Sequence, residues 1–104
     1  MLIKNERDLK GLKVSGDRGE AVLKDFFTED LVFGTRIIKM GSVVPKKLHK
    51  HKEKQINYIV YGEGEVTNGK ETKNFKKGDF ILFDSGEEHY FTAKAEIHAI
   101  ELKF

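Results

Sequence analysis

The chain has 104 residues, no cysteine and a formal net charge of +2, and charged residues make up 35% of it. These values predict one domain, exclude disulfides and cysteine chemistry, and give no sign of nucleic-acid binding. The Lys- and Glu-rich composition is typical of proteins from heat-loving organisms. Because no run approaches the roughly 20 apolar residues of a membrane span, and no apolar leader opens the chain, we expect a cytoplasmic protein without a membrane partner.

Residues 1–19 form a polar lead-in, and residues 20–104 read as a β-barrel domain. Short apolar runs bounded by turn signals predict strands. In chain order the runs are Glu20–Phe27, Leu31–Met40, Ile56–Tyr61, Glu65–Thr67, Phe80–Phe83, Tyr90–Thr92 and Ile97–Leu102. The pair Asn68-Gly69 predicts a two-residue hairpin, because both central positions of a type I′ turn need positive φ. With no amphipathic helix between the runs, the pattern predicts an all-β sandwich or barrel.

Three of the four histidines fall in a pattern suited to a metal ion. His49 and His51 are two residues apart, so on a strand they would share one face. Gln55 opens the next apolar run, and His89 follows a turn behind the run Phe80–Phe83. Imidazole nitrogens bind divalent Zn, Cu, Fe and Ni, and oxygen ligands also suit Mn. The residues predict a transition-metal site and leave its ion open.

These residues resemble the two motifs of small single-domain cupins, the RmlC-like proteins of the cupin 2 type. The first motif has Gly, His-x-His, Glu and Gly; here it reads Gly41, His49-Lys50-His51, Gln55 and Gly62. The second has Gly, Pro-x-Gly, His and Asn; here it reads Gly78, Asp84-Ser85-Gly86, His89 and Ala93. The resemblance covers about Val32 to Leu102. It implies a double-stranded β-helix, the jelly-roll cupin barrel, with a metal held by His49, His51, Gln55 and His89.

The departure that matters most is Gln55, which stands where the motif has Glu. An amide oxygen can coordinate an ion but brings no charge, so three imidazoles and one amide leave a divalent ion its full charge. Such an ion would attract an anionic ligand more strongly and would bind hard cations such as Mn²⁺ less well. The opposite interpretation is a site that has lost its metal. Glu53 is a rival oxygen ligand, two residues short of the motif spacing.

Three residues are candidate catalytic groups. Alternation from Gln55 predicts that Asn57 and Tyr61 face the interior, where Asn57 would orient an imidazole or a substrate. Asn57 is otherwise a hydrogen-bonded polar residue near the barrel mouth. His98 would be an acid or base if it faces inward, and a surface residue if it faces outward. Arg36 would contact a substrate carboxylate or pair with an acidic residue at the rim.

The resemblance leaves two classes of function open. One is a metal-dependent enzyme, of the oxygenase or isomerase/lyase type, acting on a small oxygenated or anionic molecule bound to the metal. The other is a non-catalytic cupin module that binds a small ligand or a metal, or is only structural. Lysines around His49 either steer an anion or form a solvated face.

We also expect a homodimer, because a chain of this size gains burial from association. The residues expected to provide that surface are Leu31, Phe33, Ile37, Tyr58 and Val60. The residues expected in the core are Phe80, Leu82 and Phe83.

Overall fold

The computed structural model describes residues 1–27, 31–49 and 53–104, and the side chains of Phe27 and of residues 46–49 lie outside this description. After a 3-10 turn at Glu6–Asp8, the described chain forms ten strands. They are β1 (Leu12–Ser15), β2 (Glu20–Phe27), β3 (Val32–Ile38), β4 (Val43–His49), β5 (Gln55–Tyr61), β6 (Glu63–Thr67), β7 (Thr72–Lys76), β8 (Phe80–Phe83), β9 (His89–Ala93) and β10 (Ile97–Lys103). Among the described residues there is no helix with the length and apolar character needed to cross a membrane.

The strands form two antiparallel sheets. The larger has the order β1-β2-β3-β10-β5-β8, and the smaller has the order β4-β9-β6-β7. Alternate residues of each strand point inward, so the two sheets bury a common apolar core. That core consists of Ala21, Ile38, Val44, Ile59, Val66, Phe75, Phe83, Phe91, Ala93, Ile97 and Ala99. The predicted all-β class is confirmed.

The interior changes character along the strands. On β10 the buried residues pass from apolar Ile97 and Ala99 to Glu101, and on β5 they pass from Ile59 to Asn57 and Gln55. The register places Ala99 opposite Ile59 and Glu101 opposite Asn57. On these two strands the inward side chains are therefore apolar towards one end of the barrel and polar towards the other.

A β-bulge reverses the orientation of Tyr61. The register between β5 and β10 shifts between His98 and Ala99, so that Ala99 faces Ile59 while His98 faces Tyr61. The extra residue on β5 inverts the alternation beyond it. Tyr61 is consequently 41% exposed, and the expectation that it faces the interior is wrong.

The hairpin at Asn68-Gly69 is present, but its turn differs from the predicted one. Thr67 pairs with Thr72, so the loop between β6 and β7 contains four residues rather than two. Gly69 has a φ of 88°, while no non-glycine residue in the described ranges has a positive φ. Instead, Oδ1 of Asn68 accepts hydrogen bonds from the backbone N–H groups of Lys70 and Glu71. A side-chain acceptor replaces the type I′ geometry.

Alternation on β8 also corrects part of the predicted core. Phe83 is buried as expected, but Phe80 and Leu82 are 74% and 58% exposed. They lie on the opposite face of β8 from Phe83, because successive side chains of a strand alternate. β8 is an edge strand of the larger sheet, so this outer apolar face lies beside an open sheet edge.

Candidate functional site

The polar end of the barrel holds a cavity of about 270 Å³, here called the barrel cavity. Its polar lining residues are Arg36, Gln55, Asn57, His89, Glu101 and Lys103. Its apolar lining residues are Val14, Ala21, Leu23, Ile38, Val44, Pro45 and Phe91. Ligand pockets begin at about 300 Å³, so a molecule bound here would be small. A second hollow of about 250 Å³, reached from β7 and β8, has no histidine in its lining.

Gln55 is held through its amide nitrogen. Its Nε2 donates to Oδ1 of Asn57 at 2.7 Å and to Oε1 of Glu101 at 2.9 Å. Because a carboxylate only accepts hydrogen bonds, Glu101 fixes which way the amide is turned. Oε1 of Gln55 therefore points away from Glu101, and it is buried without a hydrogen bond from any described residue. A buried carbonyl oxygen in this position suits a cation or an incoming donor.

Glu101 is the centre of a buried ionic network. Its Oε2 accepts from Nη2 of Arg36 at 2.6 Å and from Nε at 3.1 Å. Nη1 of Arg36 donates to Asp25 and to the backbone oxygen of Thr35. Of the two partners expected for Arg36, an acidic residue is thus the one observed, although Glu101 lies inside the barrel rather than at its rim.

The charge of Glu101 is set by its neighbours. Burial alone would raise the pKa of this carboxyl group, but Arg36, then Lys103 and the hydrogen bonds from Asn57 and Arg36, hold the pKa below its ordinary value of 4.5. Glu101 is therefore a carboxylate at neutral pH and positions the amides of Asn57 and Gln55. Sequence reasoning missed this residue. The available signal was alternation from Ile97 and Ala99, which places a glutamate at an inward position.

His89 is fixed in one tautomer and one ring orientation. It is 1% exposed, and its Nδ1 lies 3.1 Å from the backbone oxygen of Glu87. A carbonyl oxygen only accepts, so Nδ1 carries the proton and the lone pair of the neutral imidazole is on Nε2. The ring stacks on Phe83 at a centroid distance of 3.9 Å. Metal-binding histidines commonly donate their other ring N–H in this manner.

The structure places two of the four predicted ligands, Gln55 and His89, in one cavity, and the side chains of the other two lie outside its description. The backbone of His49 pairs with His89 across β4 and β9, but the side chain of His49 and all of His51 are outside that description. Within the described ranges, no three His, Asp or Glu residues form a group that could hold an ion. The described donors, one imidazole nitrogen and one amide oxygen, fit a divalent transition ion. Glu53, the rival ligand, is exposed.

His98 and Tyr61 lie together on the outside of the barrel. The hydroxyl of Tyr61 is 2.6 Å from Nε2 of His98, their rings stack at 4.1 Å, and Glu96 lies 3.2 Å from the same nitrogen. Partial burial, followed by the charge of Glu96, raises the pKa of Tyr61. Neither His98 nor Tyr61 lines the barrel cavity. Of the three candidate catalytic residues, only Asn57 does.

Comparison with solved structures shows several with the same fold. One is a predicted oxalate decarboxylase from Thermotoga maritima, with 23% identity, a TM-score of 0.84, and coverage of 99% of this chain and 98% of that chain. Another is an RmlC-like cupin from Shewanella frigidimarina, with 17% identity, a TM-score of 0.79, and coverage of 96% and 86%. A third is ectoine synthase from P. lautus, with 21% identity, a TM-score of 0.79, and coverage of 99% and 77%. These identities support the fold and no more.

A search of curated proteins gave no match. A family model described as a cupin domain, in contrast, matches residues 36–101, well over half of the chain. This range includes His49, His51, Gln55 and His89, on which the resemblance to cupins rests, and it agrees with the two-sheet barrel and with the solved structures. The chain is therefore a member of the cupin domain family.

Proposed function

We propose that this cupin domain binds a divalent transition-metal ion in the barrel cavity and acts as an enzyme on a small oxygenated or anionic molecule. The observation that carries the proposal is the buried Oε1 of Gln55, which no described residue contacts by a hydrogen bond. The same cavity is lined by His89, whose Nε2 carries the lone pair. His49, His51, Gln55 and His89 would hold the ion, which is Mn, Fe, Ni, Cu or Zn.

A bound ion would supply Lewis-acid or redox chemistry at an oxygen atom of the substrate. The chain's own residues prepare the site. Glu101 and Asn57 hold the amide of Gln55, while Phe83 and Glu87 hold the ring of His89. Asn57 lines the cavity and shares an acceptor with Gln55, so it is the candidate catalytic residue that we keep in the proposed site. We leave His98 and Tyr61 out of the proposed site.

With a divalent ion bound, the cavity would favour an anionic substrate. Arg36 and Lys103 carry positive charge, and Glu101 and Asp25 balance them. Neutral imidazoles and the amide of Gln55 add no negative charge, so a divalent ion would keep its own. A carboxylate, enolate or diolate oxygen would then be attracted to the site.

The fold alone does not select between oxygenase and isomerase/lyase chemistry. Two of the similar structures carry the names of enzymes, a predicted oxalate decarboxylase and ectoine synthase, which supports catalysis in this cavity without naming a reaction. The first test is elemental analysis of untagged protein purified without chelator. We expect about one transition-metal ion per chain, and its identity chooses between redox and Lewis-acid assays. If the protein contains no ion and retains none after dialysis against each candidate metal, the metal-dependent enzyme is refuted and the non-catalytic module is the remaining function.

We further propose that the protein is a cytoplasmic homodimer. Support for the dimer comes from the outer face of the larger sheet, where Phe33, Val60, Phe80 and Leu82 are exposed. Tyr58 and Phe80 pair across β5 and β8 and pack their rings at 4.7 Å, which joins the apolar surfaces of these two strands. Apolar patches of this kind are typical of interfaces between protein chains.

A further inference from the structure

We propose that the barrel cavity takes a small carboxylate with an apolar body, and that Lys103 binds its carboxylate group. The inference rests on the proposed function in one respect, namely that the barrel cavity is the ligand site. It goes further by naming the chemical class of the ligand and the residue that selects it.

Lys103 is an inward-facing lysine at the polar end of the barrel. It follows Ile97, Ala99 and Glu101 at alternate positions of β10, so its side chain starts on the interior face. The register places it opposite Gln55. Its side chain is 19% exposed and lines the barrel cavity. A lysine in this position is unusual, because the ammonium group normally lies in water.

Among the described residues Lys103 has one partner, Glu101, and this contact leaves most of the donor capacity of the ammonium group unused. Its Nζ lies 3.5 Å from Oε2 of Glu101, whereas charge-assisted hydrogen bonds are about 2.7–2.9 Å long. That oxygen already accepts two hydrogen bonds from Arg36 at 2.6 and 3.1 Å. An ammonium group has three donors. Because Glu101 already accepts from Arg36, a second carboxylate in the cavity would provide the donors of Lys103 with an acceptor of their own.

Arg36 is the other cation in the cavity wall, and its donors are mostly committed. Its Nε and Nη2 donate to Glu101, and Nη1 donates to Asp25 and to the backbone oxygen of Thr35. Four of the five N–H groups of the guanidinium are thereby in use. Lys103, rather than Arg36, is therefore the cation able to take an anionic head group.

The rest of the cavity is lined by apolar side chains, which favours a ligand with an apolar body next to its carboxylate. Val14, Leu23 and Ile38 line it from the larger sheet, and Val44 and Phe91 line it from the smaller one. A ligand made only of a head group would leave these walls in contact with water. The cavity of about 270 Å³ is below the size of drug-sized pockets, which begin at about 300 Å³. A short-chain carboxylate fits the cavity volume, and its charged head group and apolar chain match the polar and apolar parts of the lining.

The experiment compares three probes by isothermal titration calorimetry: hexanoate, its neutral analogue hexanamide, and acetate. Each is titrated into the protein as purified and after removal of metal by chelator. The variants are Lys103→Gln, Lys103→Arg, and Lys73→Gln as a control. Lys73 has a side chain that is 71% exposed on β7, in the other sheet, so this control removes one positive charge away from the cavity.

We expect the protein to bind hexanoate more tightly than hexanamide or acetate. Lys103→Gln should weaken hexanoate binding about tenfold or more, because one charge-assisted interaction is lost, and should leave hexanamide binding unchanged. Lys103→Arg should retain hexanoate binding, and Lys73→Gln should match the parent chain. Equal binding of hexanoate and hexanamide, undiminished hexanoate binding by Lys103→Gln, or no binding of any probe would overturn the inference.

The two proposals can fail separately. Hexanoate binding that depends on Lys103, in a protein that neither contains nor takes up metal, would refute the metal-dependent function and keep the ligand assignment. A protein with one ion per chain and no preference for the carboxylate head group would refute the role of Lys103 and keep the metal site.

Discussion

Nε2 of Gln55 donates a hydrogen bond across 2.9 Å to Oε1 of Glu101, and both side chains are buried. This contact gives a physical reason for the amide at position 55, where the cupin motif has glutamate. A glutamate there would face the carboxylate of Glu101 inside the barrel. The negative charge lies instead on Glu101 of the neighbouring strand, where it forms an ion pair with Arg36. The departure from the motif is therefore coupled to Glu101.

Replacing Gln55 by glutamate should destabilise the metal-free protein at neutral pH. We expect Gln55→Glu to lower the free energy of unfolding by roughly 1–3 kcal/mol, the cost of an unmade buried polar contact. Two facing carboxylates raise each other's pKa. Because the introduced carboxyl group has a higher pKa in the folded state than in the unfolded state, the loss of stability is smallest below the ordinary carboxyl pKa. The loss grows as the pH rises through the folded-state pKa. Urea unfolding between about pH 5 and 8 measures both effects.

The control for this substitution is Asn5→Asp, which makes the same amide-to-acid change at an exposed position before the first turn. It should change stability by less than about 0.5 kcal/mol. If Gln55→Glu behaved like Asn5→Asp at every pH, the contact between Gln55 and Glu101 would have no energetic role.

Neutralising Glu101 should remove a stabilising ion pair with Arg36. Glu101→Gln is expected to lower the free energy of unfolding by roughly 3 kcal/mol, because it leaves a buried guanidinium partly unpaired. The pKa of Glu101 is lowered in the folded state from 4.5. Its contribution is thus complete above that ordinary value and is lost as the pH falls through the folded-state pKa. The gap between parent and variant should be constant near neutrality and should shrink in acid.

Glu71→Gln is the matched control, since Glu71 is exposed and lies 3.8 Å from Lys73. It should alter stability by less than about 1 kcal/mol at any pH. A gap between the parent and Glu101→Gln that widens on acidification would contradict the lowered pKa of Glu101.

A methyl group at Gly34 should disturb the same network from β3. The Cβ of an alanine would overlap Oδ1 of Asp25 and the backbone oxygen of Lys24, so Asp25 could not keep its place beside Arg36. We expect Gly34→Ala to cost about 1–3 kcal/mol, as overpacking does elsewhere. Gly11→Ala is the comparison, because its nearest contact is a side-chain atom of Val22 at 3.3 Å. Thermal unfolding of both variants tests this, and equal stability would show that the space above Gly34 is not required.

Charge on the outer face of β8 should separate the proposed dimer. Phe80→Glu and Leu82→Glu each place a carboxylate on the exposed apolar surface, and sedimentation equilibrium should change from two chains to one. Leu12→Glu is the control, since Leu12 is 61% exposed on β1, the opposite edge of the larger sheet. A parent protein that sediments as a monomer would refute the dimer, and a dimer that survives both substitutions would place the interface elsewhere.

The cupin motifs and strand alternation predicted three of the residues that line the barrel cavity. The motifs identified His89 and Gln55, and alternation from Gln55 correctly placed Asn57 inside the barrel. The same rule failed at Tyr61, because a bulge opposite His98 adds a residue that no local sequence signal marks. Glu101 was missed because a charged residue near the end of an apolar run is ordinarily solvated, and only the positions of Arg36 and Gln55 across neighbouring strands show that it is paired. β7 was missed because Phe75 is its only buried residue.

The proposed function requires that Gln55 and His89 belong to one metal site in the barrel cavity. Equilibrium dialysis of metal-free protein against Mn²⁺ and Zn²⁺ tests it on the parent chain, Gln55→Glu, and the double variant His49→Ala/His89→Ala. The control is His98→Ala, which removes the histidine outside the cavity, and circular dichroism checks that each variant is folded.

We expect about one ion per chain in the parent and in His98→Ala, and none in the double variant. Gln55→Glu should bind Mn²⁺ more tightly, because a carboxylate adds negative charge at the ion. Loss of metal from His98→Ala, or retention of metal by the folded double variant, would contradict the assigned site. Unchanged Mn²⁺ affinity in Gln55→Glu would remove Gln55 from the ligands.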